Sequence, residues 1–153
     1  MDKRTALKTT EDEFANLLAA VDGLDEQAMN ETFYGSWSVK EILAHISGWH
    51  RQMTEAMERM ARGEKPTPEG VDYSDADAWN AGFASSMASQ SGATVLADLR
   101  QTFANYLRAA MTIPDERYGE GKTINRLLEG SGYGHYREHT PAIVQFKTGS
   151  PGA

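Results

Sequence analysis

The chain has 153 residues, no cysteine, 22 acidic against 15 basic side chains and a formal net charge of −7, with a pI near 5.1. Disulfides and thiolate ligands are excluded, so any metal site must use His, Asp, Glu or water. The average field repels phosphate backbones and anionic lipid, and neither an apolar h-region nor a run approaching the ~20 residues of a membrane helix is present.

These exclusions lead to the expectation of a soluble, cytoplasmic protein with no nucleic-acid and no membrane partner. The length suits one domain, over 1–147, able to bury roughly two thirds of its unfolded surface. Residues 148–153, TGSPGA, read as a flexible tail.

Helical periodicity recurs through most of the chain and strand alternation does not. A first helix is expected over 3–22, with Leu7, Phe14, Leu18 and Val21 on one stripe that Thr10 and Glu11 interrupt. GLDEQAMNETFYGSW then reads as a connector holding about one helical turn. The second helix starts at SVKE, where Ser38 caps and Glu41 can bond back, with Trp37 as the preceding hydrophobic staple. It runs to about Arg62, where Gly63, Pro66 and Pro68 stop it.

From Glu64 to Ser91 lies a long crossover in which Ser74 or Asp75 caps a shorter helix containing Trp79 and Phe83. Links of that length carry function or join parallel neighbours. The third helix covers roughly 93–112, with an apolar seam of Val95, Leu96, Leu99, Phe103, Tyr106, Leu107 and Ala110. After Pro114, Thr123 is the expected cap of a fourth helix that must tolerate Gly130, Gly132 and Gly134. The fold class is all-α, a four-helix bundle with a long crossover between helices 2 and 3.

The motif HYREH at 135–139 decides where chemistry is sought. Advancing about 100° per residue along a continuous fourth helix places His135 and His139 on the core stripe with Leu128, Ala142 and Phe146. On the second helix the same projection puts Ile46, Trp49, Met53 and Met60 near the stripe centre, His45 at one flank and His50 at the other. An i,i+4 pair sets two imidazoles on one side of a helix, and a third from a facing helix completes a three-nitrogen cap. His45, His135 and His139 form that group, and His50 is left out. Hydrogen-bonded histidines that merely link helices are the alternative.

Tyr133 and Tyr136 project away from the stripe and receive no role. Glu138 is a candidate proton acceptor or second-layer partner, or else a solvated carboxylate. Trp79 and Asn80 are candidates for the mouth of the site, with simple packing the alternative for Trp79.

GSWSVKEILAHISGWH, the WN at 79–80 and HYREHTPAI together resemble the DinB-like superfamily of four-helix bundles, and within it the ClbS/DfsB branch. The order that carries the resemblance is a tryptophan, a helix-two histidine eight residues later, then HxxxH in the last helix. The resemblance implies a divalent metal (zinc, nickel or iron) held by His45, His135 and His139 at the open end of the bundle. It implies a metal-dependent hydrolase or thiol S-transferase that activates water or a thiol for attack on a small molecule. Some ClbS/DfsB members lack the triad and act on reactive small molecules without it, so a non-enzymatic sequestering or resistance module is the rival reading. The resemblance also suggests a homodimer.

Overall fold

A computed structural model describes residues 1–149. Seven α-helices follow in order: α1 (Lys3–Val21), α2 (Glu26–Asn30), α3 (Val39–Ala61), α4 (Ala76–Ser86), α5 (Gly92–Met111), α6 (Thr123–Leu128) and α7 (Gly134–Thr148). A π-helical turn, Glu129–Tyr133, joins α6 to α7, so the expected fourth helix is a composite rod. No strand forms among the described residues; Tyr34 and Trp37 make an isolated bridge. α3 packs chiefly on α5, α1 on α7, and α4 lies over α3.

The helix starts follow local side-chain chemistry. Ser38 accepts from the Glu41 N–H while the Glu41 carboxylate accepts from the Ser38 N–H, completing the expected capping box. Asp75, rather than Ser74, caps α4, and Ser91 caps α5. Thr123 is not the cap of α6: Lys122 precedes that helix and supplies no side-chain bond. Thr10 does not interrupt α1, because its hydroxyl donates to the Ala6 carbonyl (2.8 Å) and the residue enters the core. The α1 stripe centres on Ala6, Phe14, Leu17 and Val21, with Leu7 and Leu18 half-buried at its edges. α7 extends through Thr148, one residue into the expected tail, and 150–153 lie outside the described residues.

Two apolar clusters fill the bundle. One gathers Phe14, Leu17, Ile42, Ile46, Leu99 and Ile143; the other gathers Met57, Met60, Tyr106, Ile113, Ile124 and Leu128. Close approach of α4 to α3 depends on Gly48, where an added Cβ would fall 2.2 Å from the Phe83 ring.

The π-turn changes what α7 presents. Its turns hold more residues than α-helical ones, so side chains beyond it lag a continuous α-helical projection. Tyr136 and Ile143 thereby reach the core with no exposure at all, while Phe146 is only half-buried. The expectation that Tyr133 and Tyr136 point away from the core is corrected: both are buried. The glycines explain the break. Gly132 takes φ −111°, ψ −115°, and a Cβ there would stand 2.8 Å from the Tyr106 hydroxyl. At Gly134 a Cβ would meet the Glu129 carbonyl oxygen at 2.4 Å.

Candidate metal centre

α3 carries His45 to the face of α7, where His135 and His139 stand one turn apart. One ring nitrogen from each of the three lies within 4.8 Å of the others. His45 and His135 approach Nε2 to Nε2 at 2.9 Å. The Nδ1–H of His45 donates to the Ile42 carbonyl at 2.6 Å, which leaves its Nε2 as a lone pair facing the cluster. Trp37 does more than begin α3, since its ring lies 4.6 Å from that of His45. Tyr34 lies edge-on to His139 at 5.5 Å.

Burial holds the imidazoles neutral. The His45 pKa falls to about 3, chiefly by desolvation and further by the neighbouring His139. Desolvation also drives His135 well below its ordinary value, with His45 and His139 adding to the effect. His139 is lowered by burial against an opposing pull from the Glu138 carboxylate. Neutral imidazole is the form that ligates.

His50 provides the contrast. Thr102 donates its hydroxyl to Leu99 O (3.0 Å), so it accepts from His50 Nδ1–H (2.9 Å). The Tyr136 hydroxyl in turn donates to His50 Nε2 at 2.6 Å. Both nitrogens of His50 are satisfied, as a structural histidine requires. By contrast, Nδ1 of His135 and Nδ1 of His139 are buried without any hydrogen-bond partner. Three neutral imidazoles, each with a ring nitrogen converging within 4.8 Å of the other two, present lone pairs that a divalent ion can share and that an imidazole pair alone leaves crowded.

An open cleft of about 460 Å³ reaches His135 from the side of the crossover. Asn80 and Glu138 line it; Trp79 does not. Instead Trp79 donates its indole N–H to the Asp72 carbonyl (2.8 Å) and packs on Tyr73 and Phe83, as simple packing predicts. Asn80 is oriented by Trp49, whose indole N–H donates to the Asn80 amide oxygen at 2.6 Å. Glu138 is exposed.

Sequence reasoning missed Trp49, Met53, Tyr73 and Arg126 as lining residues. Trp49 and Met53 fell on the apolar stripe of α3 and read as core, because an open cleft and a filled core use the same side chains. Nothing in the sequence marked Arg126. A larger groove of about 570 Å³ between α1 and α7 holds none of the histidines.

An all-α bundle with a three-histidine cluster beside a crossover-lined cleft defines the class: a DinB-like helical bundle. The DinB superfamily model matches residues 9–138, most of the chain, and the protein belongs to that superfamily. No curated protein matches the sequence significantly.

Among solved structures, the Sibling Lethal Factor Precursor DfsB superposes with TM-score 0.83 at 17% identity, covering 100% of this chain and 99% of that one. The colibactin self-resistance protein ClbS in complex with a dsDNA gives 0.82 at 14% identity and 95% of each chain. A Streptococcus pneumoniae protein gives 0.81 at 14% identity, over 97% of this chain and 91% of that one. These identities establish a shared fold, and DfsB and ClbS carry the names of the branch whose motifs the sequence resembles. The dsDNA complex belongs to ClbS and stands beside an expectation, drawn here from charge, of no nucleic-acid partner. No described helix is long and apolar enough to cross a membrane.

Proposed function

We propose that this chain is a metal-dependent enzyme that hydrolyses, or transfers a thiol to, a small molecule in the cleft beside His135. His45, His135 and His139 would hold the ion, of which zinc, nickel and iron suit imidazole donors. When bound, a divalent ion supplies Lewis acidity that makes water or a thiol nucleophilic near neutral pH.

The protein groups have separable tasks. His45 keeps its Nε2 lone pair available by giving its Nδ1–H to Ile42. Trp37 and Tyr34 pack against the rings of His45 and His139 and help hold them in place. Glu138, exposed in the cleft wall, takes the proton released by the nucleophile. Asn80, with its amide oxygen occupied by Trp49, has its NH₂ left to donate to a substrate carbonyl in the cleft.

The observation that carries this reading is the contrast between His50, whose two nitrogens are both hydrogen-bonded, and the three histidines whose ring nitrogens converge within 4.8 Å of one another. Elemental analysis of untagged protein tests it. Near-stoichiometric divalent metal in the wild type, lost in His135→Ala, is the expected result. Metal-free wild type would end the proposal.

The self-resistance for which ClbS is named favours a second reading in which the cleft sequesters a reactive molecule unchanged. Incubation with a candidate ligand separates the two: stoichiometric retention of intact ligand supports sequestration, and turnover supports catalysis. A net charge of −7 supports a small molecule over a polyanion as the ligand in either case.

A further inference from the structure

The cleft has a polarity that neither the histidines nor the fold class requires. One wall is the composite rod of α6, the π-turn and α7, which contributes Arg126, Gly130, His135 and Glu138. Along that wall Arg126 lies on α6, before the π-turn, and His135 and Glu138 lie on α7, beyond it. Arg126 and Glu138 are the charged residues of the lining, so the two signs occupy opposite ends.

Arg126 is exposed and donates to the Gly121 carbonyl at 2.9 Å, but it joins no ion pair among the described residues. Between the ends, Trp49, Met53, Tyr73 and Leu127 supply an apolar and aromatic passage. Gly130 keeps its middle open, since a Cβ there would meet nothing within 4 Å.

We infer that the cleft takes an elongated small molecule with an anionic terminus, a carboxylate, on Arg126, an apolar or aromatic middle between Trp49 and Leu127, and its reacting bond at His135. The inference rests on the proposed reading of this cleft as the substrate site. A guanidinium matches a carboxylate in shape as well as charge, through paired N–H donors. Glu138 repels a carboxylate that enters the other way round, so one orientation is selected.

Calorimetric titration of metal-free protein at low salt with 6-phenylhexanoate and 6-phenylhexanol tests this. The acid binds at least fivefold more tightly than the alcohol. Arg126→Gln removes that preference while leaving the affinity for the alcohol within twofold, and Arg126→Lys, which keeps the charge, retains part of it. Equal affinity for acid and alcohol, no binding of either, or an undiminished preference in Arg126→Gln overturns the inference. Because metal is absent throughout, the outcome is independent of the metal analysis. An acid preference that depends on Arg126 in a protein that never carries metal would support this inference and sink only the enzymatic reading.

Discussion

His50 and the three clustered histidines are buried imidazoles with opposite accounts. The chain from Tyr136 O–H through His50 to Thr102 and the Leu99 carbonyl has one consistent direction of donation, so every member is satisfied. Burial, with a smaller contribution from Arg51, lowers the His50 pKa to about 3. Below the ordinary value near 6.5 the unfolded chain takes up a proton that folded His50 refuses, so stability is complete above 6.5 and is lost as pH falls toward 3. The contribution is up to about 1.4 kcal/mol per pH unit. Replacing the network with apolar groups, His50→Leu with Thr102→Val and Tyr136→Phe, should flatten the acid limb by about that increment. Urea unfolding at pH 7, 6 and 5 measures it, and an unchanged slope would refute the assignment.

At the scale of elements, the composite fourth rod determines both packing and access. Two glycines in the same π-turn differ in what surrounds them, and their variants should part accordingly. Gly132→Ala forces a Cβ to 2.8 Å from the Tyr106 hydroxyl, disturbing its bond to Ser131, and should cost about 1–3 kcal/mol. Gly130→Leu projects into the open middle of the cleft, so the change in stability should stay within about 0.5 kcal/mol. That same leucine should abolish binding of any ligand lying between Trp49 and Leu127. Chemical denaturation and ligand titration of the two variants test the pair, and equal destabilisation would contradict the geometry.

On the scale of the whole molecule, the histidine cluster, like the His50–Tyr136 bond, ties α3 to α7. A bound ion therefore cross-links two halves of the bundle, and its removal should lower the melting temperature. Ligand linkage gives about 2.7 kcal/mol at a free ion concentration 100 times Kd, a shift of several degrees in a domain of this size. Excess chelator should lower the melting temperature of wild type and leave His135→Ala unmoved. Identical responses in the two proteins would count against a shared ion.

Much of this was legible from residues alone. The 3.6-residue periodicity, the Ser38–Glu41 capping box and the i,i+4 spacing of His135 and His139 are local rules, satisfied within a few residues wherever the chain goes. They determined an all-α fold, the crossover between its second and third long helices, and the grouping of His45 with the later pair. The π-turn was not legible: three glycines permit a break, but the packing of Tyr106 against the rod determines its place. The break rotates α7 and buries Tyr136, and Gly130 and Ser131 of the same turn line the cleft beside His135. Whether Trp49 and Met53 fill a core or line a cleft was likewise decided by the crossover passing over α3, a contact between segments distant in sequence. Periodicity reports which face is apolar; only tertiary packing decides what that face meets.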